Sequence, residues 1–91
     1  MNYKLDVTKE VLEFIEALDP KRFKQVFNKT LILLENPYPN DSKKLMGYDY
    51  YRTDIGEYRI IYRVDKDTIR IALIGKRNDD EVYKRFGRKQ R

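Results

Sequence analysis

The sequence predicts an α+β fold: an N-terminal strand and a helix hairpin packed on one face of a twisted, mainly antiparallel sheet, with a short C-terminal helix. Three observations carry this. The apolar period changes at Thr8 from two residues to about 3.6, the signature of a strand giving way to an amphipathic helix. Asp19-Pro20 and Asn36-Pro37-Tyr38-Pro39-Asn40 then break the helical stretch into a closely joined pair and end it. Beyond them lie three strand-like runs separated by hairpin-length turns.

Each element follows from its own residues. Tyr3 to Val7 alternates apolar and polar, as a half-buried strand does. Thr8 is a natural N-cap, and Val11, Phe14, Ile15 and Leu18 recur at spacings of three and four on one helix face. Asp19 as N-cap with Pro20 at the first helical position restarts the helix, whose expected buried stripe is Phe23, Val26, Phe27, Thr30, Leu31 and Leu34. The strands are Tyr50 to Ile55, Tyr58 to Val64 and Thr68 to Ile74, turned by Gly56-Glu57 and Asp65-Lys66-Asp67. On the middle one, Tyr58, Ile60, Tyr62 and Val64 point toward the helices; Arg59, Ile61 and Arg63 point to an open face, joined there by Tyr50, Arg52, Asp54 and Arg70. Gly75 is the expected site of a bulge, beyond which the parity of Arg77 is not fixed by alternation. The last helix is expected to be capped by Asn78, with Val82, Tyr83 and Phe86 at helical spacing and a basic tail, Arg88-Lys89-Gln90-Arg91.

Composition narrows the chemistry. Residues 1–91 fit one domain, and 41% apolar content allows a modest core. No apolar run reaches the ~18 residues of a membrane span, and MNYKLDV has no apolar signal region, so no membrane partner and a cytoplasmic location are expected. There is no cysteine and no histidine, which removes disulfides, thiolate metal sites and the commonest acid/base group. No cofactor or metal site is expected. The net charge of +5 is lopsided: residues 1–42 carry −1 and residues 43–91 carry +6. A basic half with interleaved tyrosines suits a polyanion, because guanidiniums fork onto phosphate and aromatic rings stack on bases. The plainer reading of Arg59 and Arg63 is solvated strand arginines paired with Glu57, Asp65 or Asp54, and the run Asp79-Asp80-Glu81 reads as charge complementing a helix dipole.

With the element order stand three sequence runs: KKLMG at 43–47, YYRTDIGEYRIIYRV at 50–64 and IGKRNDDEVYKRF at 74–86. In these the chain resembles the RelE/ParE toxin superfamily of type II toxin–antitoxin systems over essentially its whole length. The resemblance implies a RelE-like fold and, for RelE-type toxins, a metal-independent endoribonuclease that cuts mRNA in the ribosomal A site by attack of the RNA's own 2′-hydroxyl. It also implies an acidic antitoxin as partner. Carried over residue by residue, it assigns catalytic roles to Arg59, Arg77, Tyr83 and Arg52. Asp54 stands where those toxins have a lysine; a carboxylate there would remove a cation or act as a base in its place. Arg63, Lys76, Lys43, Lys44 and Arg85 are the expected contacts to the rest of the RNA backbone. The alternative within the superfamily is a ParE-like DNA gyrase inhibitor, or a catalytically weakened RNA-binding homologue. Tyr83 leans the choice toward a ribonuclease.

Overall fold

In the structure, a computed structural model that describes residues 3–78 and 81–89, five strands form one sheet in the order β1-β5-β4-β3-β2. They are β1 (Lys4–Val7), β2 (Lys43–Lys44), β3 (Tyr51–Ile55), β4 (Tyr58–Asp65) and β5 (Thr68–Lys76); the helices are α1 (Lys9–Glu16), α2 (Pro20–Glu35) and α3 (Glu81–Lys89). β2, β3, β4 and β5 pair antiparallel in series, and β1 adds to the β5 edge in parallel. The helix entries are built as expected. The Thr8 hydroxyl accepts from the Val11 N–H at 3.2 Å, and the Asp19 carboxylate accepts from the Arg22 N–H at 3.3 Å ahead of Pro20. Two-residue β2 was not expected, since Lys43-Lys44 has no apolar alternation to mark it. Among the described residues no helix is long and apolar enough to cross a membrane.

The main core lies between the α1–α2 hairpin and one sheet face, where Val11, Ile15, Val26 and Leu33 meet Tyr58, Ile60, Tyr62, Ile69 and Ile71. Here one expectation is corrected. α2 buries Val26, Thr30 and Leu33 and half-buries Leu34, whereas Phe23, Phe27 and Leu31 form an adjoining i, i+4, i+8 row that is about two-fifths exposed. A helix with two neighbouring apolar rows satisfies the same periodicity whichever row it buries.

The opposite face is not open along its length. α3 lies across its centre, and Val82 and Phe86 bury Ile61 and Leu73 in a second, smaller core. Gly75 permits this approach, since a Cβ on it would stand 3.1 Å from Cβ of Val82. The bulge falls at Ala72, not at Gly75: Ile61 pairs with Leu73 but Tyr62 pairs with Ile71, leaving Ala72 without an opposite partner. That one-residue insertion reverses the parity of β5. Ile69 and Ile71 therefore face the hairpin while Leu73 faces α3, and Gly75 and Arg77 follow Leu73. Asn78, the expected cap of α3, lies in a turn; Asp79 and Asp80 of the acidic run, and Gln90 and Arg91 of the basic tail, lie outside the described residues.

Candidate functional site

Antiparallel pairing sets Asp54 of β3 directly opposite Arg59 of β4, on the α3 side of the sheet. A carboxylate facing a guanidinium at that separation forms a forked pair, and it does: Arg59 Nε donates to Asp54 Oδ1 at 2.7 Å and Nη2 to Oδ2 at 3.0 Å. The third nitrogen of the guanidinium, Nη1, donates to the Tyr83 hydroxyl at 2.6 Å, and the guanidinium carbon lies 5.5 Å from the centre of that ring. Two further arginines converge on the same carboxylate. Arg52 Nη1 is 3.9 Å from Asp54 Oδ2, and Arg77 Nη1 is 3.8 Å from it. The bulge at Ala72 and the Arg77 N–H donating to the Glu57 carbonyl at 2.9 Å bring Arg77 to this side.

Among the described residues three cations surround one anion, about +2, so the cluster is an anion seat even with that counterion in place. The hydrogen bond from Arg59 holds the Asp54 carboxyl below its ordinary range, against the opposing effect of burial, and Asp54 in turn raises Arg59. A carboxylate so stabilised is a weak base. The Tyr83 hydroxyl accepts from Arg59 through a lone pair, a bond that does not use its own proton. Among the described residues no group of three or more acidic side chains gathers where a metal ion could be held.

The backbone behind Asp54 is held by a residue that sequence reasoning missed. Asp41, in the loop before β2, accepts from the Asp54 N–H at 3.1 Å, the Thr53 hydroxyl at 2.8 Å and the Lys29 ammonium at 3.3 Å. Burial pushes its carboxyl up, yet these bonds hold it below the usual range. Because β2 is only two residues long, Asp41 supplies β3 with the acceptor that a longer neighbour would have given. A sequence signal existed only in retrospect: an Asp in a Pro/Asn-rich stretch reads as a turn residue.

The expected backbone-binding residues do not all gather here. Arg63 shares the face of Arg59 but lies about 13 Å along β4, and its Nε is 3.9 Å from Asp49. Lys43 is in register with Arg52 and shares its side of the sheet, and Lys44 sits beside it on the exposed edge. Lys76 is in register with Tyr58 and so lies on the hairpin side, away from the arginines. Arg85 is engaged with Glu10 of α1 through Nε at 3.1 Å and through Nη2, which fastens α3 around the sheet edge.

Set beside known proteins, residues 5–81 match the family model described as ParE toxin of type II toxin–antitoxin system, parDE. The chain belongs to this toxin family. It is therefore a toxin of a type II toxin–antitoxin system within the RelE/ParE superfamily. Its fold is that of solved RelE toxins. The RelE–RelB complex of Pyrococcus horikoshii superposes with a TM-score of 0.76 at 29% identity, over 85% of this chain and 97% of that one. Isolated E. coli RelE superposes at 0.72 and 26% identity, over 98% and 99%. An arginine-substituted E. coli RelE in the free state reaches 0.79 at 26%, over 98% of each chain. No curated protein sequence matches the toxin.

Proposed function

We propose that this toxin is an endoribonuclease that cuts mRNA in the ribosomal A site, the RNA's 2′-hydroxyl attacking the adjoining phosphate to leave a 2′,3′-cyclic end. The observation that carries this reading is the convergence of Arg59, Arg52 and Arg77 on one carboxylate, with Tyr83 bonded to the central arginine. A phosphodiester drawn in beside that carboxylate would be gripped through charge-assisted hydrogen bonds by guanidiniums already oriented. The extra negative charge of its pentacoordinate transition state would meet them at no further cost in reorganisation. In this scheme the 2′-hydroxyl gives its proton to solvent water as its oxygen bonds to phosphorus, the bond to the 5′-oxygen breaks, and the phenol of Tyr83 delivers a proton to that leaving oxygen and is reprotonated from solvent. Asp54 serves as the resting counterion of the seat.

The family match favours a second reading, inhibition of DNA gyrase. The Arg59–Tyr83 bond supports the ribonuclease instead, since a phenol locked onto the central guanidinium has a use in proton transfer. RelE–RelB complexes among the similar structures support an antitoxin as partner of this cytoplasmic toxin, and an acidic segment would complement the arginine cluster. The test is to incubate the purified toxin with ribosomes programmed with a defined message and, separately, with gyrase and relaxed plasmid. A cut within the A-site codon ending in a 2′,3′-cyclic phosphate, with supercoiling unaffected, is expected. Blocked supercoiling with an uncut message would refute the ribonuclease reading.

A further inference from the structure

We infer that Asp41 is a positioning residue of the reaction: through β3 it sets where Arg52 and Asp54, and by way of Asp54 the central Arg59, stand against the phosphate. The inference rests on the ribonuclease reading above and assigns to that site a residue that acts only through others.

The need for it arises at the sheet edge. β2 pairs with β3 through Lys43–Arg52 and Lys44–Tyr51, and counting back along that register would set Asp41 opposite Asp54. The ladder stops before it gets there, because the Ser42 N–H and hydroxyl both turn to the Pro39 carbonyl, at 2.9 and 2.7 Å. Among the described residues, Thr53, Asp54 and Ile55 therefore pair with β4 alone. A strand end held on one side frays most readily, yet this one carries Asp54.

Asp41 closes the gap with its side chain. Its Oδ2 accepts from the Asp54 N–H at 3.1 Å and from the Thr53 hydroxyl at 2.8 Å, and both its oxygens accept from Lys29 of α2 at 3.3 Å. The Lys29 side chain is 11% exposed and Thr53 is fully buried, so the joint is anchored in α2 and in β3. From there the links lead to the seat. Asp54, its amide fixed, accepts the fork from Arg59 at 2.7 and 3.0 Å; Arg59 donates to Tyr83 at 2.6 Å; and Arg52, two residues back on β3, approaches the same carboxylate. A shift of the Asp54 backbone moves the partner that orients the central guanidinium, and misplacement by about 1 Å costs up to about 100-fold in rate.

Asp41→Ala alone would leave the Lys29 ammonium without this carboxylate in a mostly buried place, so the test removes both partners and keeps the net charge. Single-turnover cleavage on programmed ribosomes is measured across toxin concentrations for wild type, Lys29→Met and Lys29→Met/Asp41→Ala, with circular dichroism as the control for folding. Hydrogen exchange of the Asp54 amide and of Arg59 Nε–H is followed by NMR in the free toxin. Lys29→Met leaves Asp41 on β3 and should keep the wild-type rate. The double variant should lose about 10- to 100-fold at saturation with its half-saturating concentration unchanged, the mark of lost orientation rather than lost binding. In wild type the Asp54 amide should exchange as slowly as the ladder amides of β3; in the double variant it and Arg59 Nε–H should exchange faster. A folded double variant with the wild-type rate or an unmoved Arg59 Nε–H would overturn the positioning role, as would a Lys29→Met as slow as the double variant, or a wild-type Asp54 amide that exchanges like an unstructured chain. A message left uncut by wild type would overturn the ribonuclease reading instead, while the exchange measurements, made without RNA, still decide whether Asp41 holds the seat.

Discussion

Replacing Asp54 by Asn removes the carboxylate that Arg59, Arg52 and Arg77 share while keeping nearly its shape, and the geometry fixes the direction of the effect. The carboxylate is in contact with Arg59 and within 4 Å of Arg52 and Arg77. A phosphate gripped by the same guanidiniums would stand roughly 5 Å from it, where unit repulsion at an effective dielectric constant of about 20 amounts to about 3 kcal/mol. Partial exposure and salt lower this to about 1–2 kcal/mol, or roughly 5- to 30-fold in affinity. Asp54→Asn should therefore bind programmed ribosomes more tightly by that factor at low salt, with the rate at saturation retained. Stability should move the other way. Because Arg59 holds the carboxyl below its ordinary range, the pair stabilises the fold above the unfolded carboxyl value of about 3.9, and the contribution is lost as pH falls through the lower folded value. Wild type should thus melt above Asp54→Asn at pH 7, with the two converging in acid. The assay is single-turnover cleavage across a range of toxin concentrations at matched salt, with melting followed from pH 7 to pH 2. A fall of about 100-fold or more in the saturated rate, with binding unweakened, would show Asp54 to be the general base and refute its role as counterion.

Arg59→Ala and Arg77→Ala should each lower cleavage by about 10²- to 10³-fold and relieve growth inhibition without antitoxin, while circular dichroism stays unchanged; folded variants that remain fully toxic would remove both residues from the site. Gly75→Ala forces its new Cβ against Val82, so α3 must shift by a few tenths of an ångström, costing about 1–3 kcal/mol and displacing Tyr83 from Arg59. Thermal melting and cleavage should fall together, and an unchanged melting temperature would refute the close packing. Tyr62 is fully buried, burial pushes its phenol up to about 12, and it donates to the Pro37 carbonyl at 2.6 Å. Tyr62→Phe should cost about 1 kcal/mol in denaturant unfolding by orphaning that carbonyl, and no cost would mean that water replaces the bond. Antitoxin binding should weaken as salt rises and should alter hydrogen exchange within residues 50–86; unchanged protection there would place the antitoxin elsewhere.

Local rules were enough for most elements, because caps, turns and alternation act over a few residues: Thr8, Asp19 and Pro20 start the helices, and the Tyr58–Val64 alternation sorts tyrosines from arginines. The chain resemblance marked Arg59, Arg52, Arg77 and Tyr83, and the basic second half pointed to a polyanion. What pairs with what belongs to the tertiary structure. Asp54 became the shared partner of three arginines only through the β3–β4 register and through the bulge at Ala72, which turned Arg77 to their side. Sequence alternation has no way to show an insertion whose only trace is one residue without an opposite partner. Likewise α2 carried two apolar rows, and which one it buried depended on how the hairpin docked. Asp41, reaching from a turn to the Asp54 N–H, and Arg85, paired with Glu10 of α1, owe these contacts to neighbours 13 and 75 residues away. Contacts of that range are set by packing, which no local pattern records.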